Sequence, residues 1–148
     1  MSTKRRFAAY AAFVCLASTS ISVLAEDRPY TEGPVVNVAG IRTANGKFDE
    51  YMKYVATTWK QTQEAAKKAG YVISYQVLTV EPRGENDPDI FLVVTYKNWA
   101  ALDGSLEKGD AISKQVEGSV EASNRSFSDR DKIRRTLGSA TMQVLNLK

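Results

Sequence analysis

One amide and four aromatic side chains are the residues best suited to holding a small molecule. They are Asn37, Tyr51, Trp59, Tyr75 and Tyr96. Aromatic walls with one or two amides and phenols suit a flat, apolar ligand such as a quinone or a polyketide, because the rings supply contact area and the polar groups fix orientation. Aromatic residues at helical spacing are also common in protein cores, so a packing role is the simpler alternative for the same set.

Carboxylates could supply a general base or a calcium site. Glu64 lies one helical turn plus one residue after Trp59 and could act as a base if its helix end were buried. A solvated glutamate beside Lys60, Lys67 and Lys68 is the simpler interpretation.

A second acidic group surrounds a predicted turn and consists of Glu81, Glu85, Asp87 and Asp89. Because its spacing lacks the alternating ligands of a calcium loop, we expect a polar turn and no metal site.

A run of cations near the C-terminus could bind an anion. It consists of Arg125, Arg130, Lys132, Arg134 and Arg135. Guanidinium forks bind carboxylates and anionic head groups through two hydrogen bonds. Because Asp129 and Asp131 interleave the run, a solvated and self-paired helix face is the favoured interpretation.

The first 25 residues are typical of a secretory signal peptide. A basic segment at residues 4–6 precedes an apolar stretch at residues 7–16 that is too short to span a bilayer. Val23 and Ala25 fit the small or aliphatic positions before a signal-peptidase cut. The sequence therefore predicts cleavage after Ala25 and a periplasmic or secreted protein, beginning at Glu26, with no membrane span.

The composition of the mature chain excludes several classes of function. Cleavage leaves 123 residues with 17 basic and 17 acidic side chains, since three cations leave with the signal. A neutral domain lacks the positive charge that phosphate-backbone binding requires, so nucleic acid is not an expected partner. The chain has no His, and its one Cys, Cys15, lies in the signal. Imidazole-assisted nucleophiles, ordinary zinc sites and His-ligated haem are thereby excluded, and we predict no cofactor.

Hydrophobic periodicity predicts one domain over residues 35–148 after a polar lead-in at residues 26–34. Strands are predicted at residues 35–41, 71–81, 89–96 and 141–147. A long helix is predicted at residues 47–69. Three shorter helical pieces follow the third strand. The first begins at Trp99 and is capped by Asn98, the second contains Ile112, Val116 and Val120, and the third spans residues 128–138. The order predicts a ferredoxin-like βαββαβ fold, an α+β architecture with a four-stranded antiparallel sheet and both helical layers on one face.

The strand at residues 89–96 is apolar on both sides, which predicts that the sheet face opposite the helices is also covered. A symmetric homodimer that packs two sheets face to face is the simplest arrangement.

Three segments carry a resemblance to a known superfamily. They are residues 35–41, the helix opening at residues 46–51 with Trp59 further along, and residues 89–99. Over residues 35–147 the chain resembles the dimeric α+β barrel superfamily, which includes antibiotic-biosynthesis-monooxygenase-like and NIPSNAP-like domains. The resemblance implies a sheet-to-sheet dimer and a pocket between the sheet and the long helix, which would add Val55 to the candidate site. Haem-using branches of the superfamily rely on a His ligand, so their chemistry does not carry over.

Three functions follow as hypotheses. The leading one is an exported, dimeric domain that binds a small apolar or aromatic molecule. The resemblance implies a second, a cofactor-independent monooxygenase acting on an activated aromatic substrate. The third is a non-catalytic structural or protein-interaction module.

Overall fold

Four antiparallel strands and two helical layers form the part of the chain that the computed structural model describes, residues 27–148. The strands are β1 (Tyr30–Thr43), β2 (Ser74–Thr79), β3 (Ile90–Tyr96) and β4 (Arg134–Leu147). The helices are α1 (Phe48–Tyr54), α2 (Lys60–Lys68), α3 (Ser105–Glu117) and α4 (Val120–Arg130). No helix within residues 27–148 is long and apolar enough to cross a membrane. The predicted signal peptide at residues 1–25 lies outside the described residues.

The strand order in the sheet is β2-β3-β1-β4, and all neighbouring pairs are antiparallel. This order, with one helical connection between β1 and β2 and another between β3 and β4, confirms the predicted ferredoxin-like α+β fold. β1 occupies a central position and pairs with β3 over residues 35–41 and with β4 over nearly its whole length.

The predicted long helix is confirmed, with one interruption in its hydrogen-bonding pattern. α1 and α2 are joined by a π-helical turn, Val55–Trp59, whose flanking residues keep helical backbone angles. Within this turn the Thr57 hydroxyl donates a hydrogen bond to the carbonyl of Lys53 at 2.7 Å. Such back-bonding by Thr competes for helix carbonyls and accompanies local irregularity. The turn still directs Val55 and Trp59 toward the sheet, where both are buried.

The hydrophobic core lies between the sheet and the helices. Alternate residues of the strands share one face, and on β3 these are Ile90, Leu92 and Val94. They pack with buried helix residues Tyr51, Val55, Trp59, Ala66 and Ile112. Because all of these helix residues meet the same strand face, both helical layers cover one side of the sheet, as predicted.

The second helical layer begins with a short 3-10 helix, Trp99–Leu102. The predicted cap is confirmed, since the side chain of Asn98 accepts a hydrogen bond from the backbone N–H of Ala101 at 3.1 Å. α3 then runs through Gly109 without a break and packs against α2. Gly118, at φ 85°, ends α3, so Val120 begins the next helix instead of continuing this one.

Two strands are longer than the sequence predicts. β1 begins at Tyr30, so residues 30–34 belong to the sheet and not to the polar lead-in. The helix predicted at residues 128–138 is wrong beyond Arg130, because β4 begins at Arg134 and pairs with β1 there. Pairing with a central strand outweighs the local helix signals of this segment. β2, in contrast, covers only part of the predicted strand at residues 71–81.

Gly138 marks an irregularity in β4 and does not end a helix. It lies opposite Gly40, and the register with β1 shifts by one residue between this pair and the next, Ile41 with Thr136. The shift leaves one extra residue on β4, a β-bulge, and Gly138 adopts φ 115° there, an angle that favours glycine.

The other face of the sheet is apolar, and no helix of residues 27–148 covers it. We call it the open face, and its apolar residues from the four strands are Val36, Val38, Leu78, Phe91, Val93 and Met142. Leu78 and Met142 are 48% and 49% exposed, respectively. Val36, Val38 and Phe91 point the same way and are partly exposed, while Val93 between them is 9% exposed, so an apolar surface extends from β2 to β4.

Candidate functional site

A cavity of about 250 Å³ lies between α2 and α3, next to the end of β3. We call it the α2–α3 cavity. Its apolar wall consists of Ala66, Val72, Ala101, Leu102 and Ile112. Its polar groups come from Thr62, Gln63, Tyr71, Tyr96, Ser105, Lys108 and Ser113. An apolar concavity with a few polar groups is the usual form of a small-molecule site.

Tyr96 presents its phenol to this cavity from the last residue of β3. Burial raises the pKa of Tyr96 above its ordinary value of 10, so the hydroxyl stays protonated through neutral and moderately alkaline pH. Within residues 27–148 no hydrogen bond involves its hydroxyl, and no buried side-chain oxygen is left without a partner there, so this hydroxyl is open to water. It is therefore available to donate to, or accept from, a ligand.

Lys108 lines the cavity from α3 and is held in place by the 3-10 helix. Its ammonium group donates hydrogen bonds to the carbonyls of Ala101, at 2.9 Å, and Asp103. It also lies 5.4 Å from the centre of the Tyr71 ring, within the range of a cation–π contact. These contacts fix a positive charge on the polar side of the cavity.

Of the five predicted ligand-binding residues, Tyr96 alone lines the α2–α3 cavity. Tyr51 is 2% exposed and Trp59 is 9% exposed, and both pack in the core, as does Val55. The sequence spacing that suggested a pocket wall is, for these helix residues, the spacing of the core-facing stripe. The structure therefore does not bring the five residues together around one cavity.

Tyr75 and Asn37 each make a specific contact away from this cavity. The rings of Tyr75 and Trp59 meet edge to face with their centres 5.4 Å apart. The Tyr75 hydroxyl donates to the Glu64 carboxylate at 2.5 Å, and this hydrogen bond raises the pKa of Tyr75. The Asn37 amide donates to the Thr141 hydroxyl at 2.9 Å, across the β1–β4 pair.

The charged groups considered for chemistry lie mainly in local contacts. Asp87 accepts a hydrogen bond from the backbone N–H of Arg83 at 3.0 Å, as expected for a polar turn. Asp89 instead accepts hydrogen bonds from the backbone N–H of Thr43, at 3.1 Å, and from its hydroxyl. This contact ties the start of β3 to the end of β1.

The sequence interpretation missed the contribution of α3 to the cavity. Its lining residues are Ser105, Lys108, Gly109, Ile112 and Ser113, which recur at steps of three and one. These steps place them on one face of a helix. The spacing was visible in the sequence, but Ile112 alone identified the buried side, because the other members are small or polar.

The buried phenol of Tyr51 predicts a loss of stability at alkaline pH. Burial raises its pKa to about 12, whereas the unfolded chain titrates near 10. A raised pKa means that the folded state keeps the proton that the unfolded state releases, so stability is intact below pH 10 and falls as the pH rises toward 12. The difference between the folded and unfolded pKa values of Tyr51 corresponds to about 2–3 kcal/mol in the free energy of unfolding.

Urea unfolding of the wild type and of Tyr51→Phe, each measured below pH 10 and near pH 12, tests this prediction. Tyr54 and Tyr96 have pKa values raised in the same direction, so the variant should retain part of the alkaline loss. Equal losses in the two proteins would show that Tyr51 does not contribute.

Comparison with known proteins places the chain in a class by its fold. A solved structure described as "crystal structure of HapK from Hahella chejuensis" superposes with a TM-score of 0.50 at 11% sequence identity. The match covers 73% of this chain and 90% of that one. At this identity the likeness shows a shared α+β fold alone. No protein-family model and no curated protein matches the chain.

Proposed function

We propose that the chain binds a small apolar or aromatic molecule in the α2–α3 cavity. The observation that carries the proposal is the free hydroxyl of Tyr96 beside an apolar wall that includes Val72 and Ile112. A ligand with one oxygen substituent on an aromatic frame would satisfy the phenol and remove the apolar wall from water.

The size of the cavity limits the ligand. Sites for drug-sized molecules occupy roughly 300–1,000 Å³. The α2–α3 cavity, at about 250 Å³, is smaller and fits one or two fused rings better than an extended polyketide. We therefore narrow the proposed ligand class to compact aromatic molecules with a hydroxyl or carbonyl group.

Export is part of the same proposal. The basic segment at residues 4–6, the apolar stretch at residues 7–16 and the Val23–Ala25 pattern support cleavage after Ala25 and a periplasmic or secreted location. The intact mass of the exported protein reports the cleavage site, and retention of residues 1–25 would contradict it.

We also infer that the chain is a member of the dimeric α+β barrel superfamily and forms a homodimer through the open face. The arrangement of the sheet supports this inference, because no helix within residues 27–148 covers the open face. Exposed Leu78 and Met142 on that face support a second copy as the occupant. A twofold partner presents the same apolar surface in return.

The ligand proposal is tested by filling the cavity from α3. Gly109 lines the cavity, and a Cβ added there meets no heavy atom within 4 Å. Gly109→Leu should therefore fold, because Leu favours a helix interior over Gly by nearly 1 kcal/mol, while its side chain occupies ligand space. We expect the variant to bind 1-naphthol at least tenfold more weakly than the wild type, measured by NMR titration.

Gly109→Ala is the matched control, since it improves the helix but adds one methyl group only. It should retain most of the 1-naphthol binding, and Tyr96→Phe should weaken it by removing the hydroxyl. Unchanged affinity in Gly109→Leu would overturn the assignment of the cavity. Oxygen consumption with anthrone, followed in parallel, separates a binding role from the monooxygenase activity that the resemblance implies.

A further inference from the structure

A second cleft, of about 370 Å³, lies where β1 ends and β4 begins. Three arginines line it, Arg42, Arg134 and Arg135, together with the loop after β1. We call it the arginine cleft. Arg42 and Val35 lie about 23 Å apart along β1, at about 3.3 Å per residue. Because Val35 pairs with Tyr96 of the α2–α3 cavity, the two sites lie at opposite ends of the sheet.

Arg134 is a buried cation that lines this cleft, with a side chain only 4% exposed. Its guanidinium donates to the Asp131 carboxylate at 2.5 Å and lies over the Phe127 ring, 4.4 Å from the ring centre. The aromatic face and the carboxylate fix the plane of the guanidinium. Arg134 pairs with Thr43 whereas Arg135 pairs with Arg42, so the Arg134 side chain lies on the helical face and adds its positive charge from behind the cleft.

Arg42 and Arg135 face each other directly in the β1–β4 register. Like charges at directly opposed positions of an antiparallel pair destabilise a sheet unless a counter-charge joins them. Arg135 is held by neutral groups, since it donates to the carbonyl of Glu85 at 3.3 Å and to the side-chain oxygen of Asn86 at 3.0 Å. Within residues 27–148 the Arg42 guanidinium makes no hydrogen bond or ion pair.

The charges that line the cleft do not cancel. Glu85 and Asp131 are the lining carboxylates, against three guanidinium groups. Asp131 is already paired with Arg134, so Glu85 remains to balance both Arg42 and Arg135. The side chains that line the cleft therefore sum to a net positive charge, and the Asp89 carboxylate beside it is already engaged by the backbone N–H and hydroxyl of Thr43.

We propose that the arginine cleft binds a small oxyanion, a phosphate or carboxylate group that bridges Arg42 and Arg135 with Arg134 behind them. Guanidinium groups bind both kinds of oxyanion through paired, charge-assisted hydrogen bonds. A bridging oxyanion would also remove the repulsion between the two opposed arginines. The proposal is independent of the ligand in the α2–α3 cavity.

Titration of the mature protein with inorganic phosphate and with malonate, against chloride at matched ionic strength, tests the site. The arginine side-chain N–H signals in NMR report binding, and the two anions distinguish a phosphate ligand from a carboxylate ligand. We expect saturable shifts for at least one of them. Arg42→Gln and Arg135→Gln should each weaken that binding at least tenfold.

Arg125→Gln is the matched control, because Arg125 is an exposed cation of α4 and does not line the cleft. It removes one charge and so reports the non-specific effect of salt. Binding that is no stronger for phosphate or malonate than for chloride would overturn the proposal. So would an equal affinity for Arg42→Gln and Arg125→Gln.

Discussion

Ile90→Ala is expected to lower the free energy of unfolding by about 2–5 kcal/mol, a range typical of such core truncations. Ile90 is 0% exposed, and in the register of the sheet it lies between Ile41 of β1 and Thr79 of β2. The substitution removes buried methyl groups and leaves a void that strands on both sides hold open. Total stabilities of small domains are about 5–15 kcal/mol, so the loss is a large fraction of the whole.

Urea unfolding monitored by circular dichroism measures this effect, and Leu106→Ala is its control. Leu106 is 80% exposed on α3, where Ala is also the better helix former, so its truncation should change stability by no more than about 0.5 kcal/mol. Similar values for the two variants would show that the core is not centred on β3.

The strands and helices that the sequence predicted correctly are those with strong local signals. The helix at residues 47–69 has an apolar stripe, and the side chain of Asn98 is of a type that commonly caps the N-terminus of a helix, here the 3-10 helix. The start of β4 lacks such a signal. Arg134 and Arg135 interrupt any apolar alternation, and their strand conformation is set by pairing with Thr43 and Arg42 of β1, far away in sequence.

The candidate site was predictable only in part, for a related reason. Tyr96 was identified because it is a phenol at the end of an apolar strand. Tyr51 and Trp59 were grouped with it by type and spacing, although helical spacing alone does not separate a pocket wall from a core stripe. The α2–α3 cavity depends on how α3 packs against α2, and the position of Lys108 depends on carbonyls of the preceding 3-10 helix. Neither contact has a local sequence signature.

The α2–α3 cavity and the open face need not compete for space, whereas Arg42 of the arginine cleft lies on the same sheet face as Val36 and Val38. The α2–α3 cavity lies at the end of the sheet where β3 finishes, on the helical side. The arginine cleft lies at the other end, where β1 finishes. A partner on the open face would leave the α2–α3 cavity free, so ligand binding and self-association can be tested separately in the same preparation.

Charged substitutions on the open face are expected to convert the proposed homodimer to a monomer. Leu78 and Met142 are half exposed at opposite sides of that face, so Leu78→Glu and Met142→Glu should leave the single-chain fold intact. In a twofold dimer each substitution buries two carboxylates without partners. A cost of about 3 kcal/mol would raise the dissociation constant about 100-fold.

Multi-angle light scattering of the mature protein over a range of concentrations measures the result. The wild type should have twice the chain mass, and each open-face variant should approach the mass of one chain with unchanged circular dichroism. Leu106→Glu, on exposed α3, is the matched control and should remain dimeric because it adds the same charge away from the open face. A monomeric wild type would refute the dimer. Open-face variants that stay dimeric would show that the chains associate through another surface, such as the long exposed edge of β4.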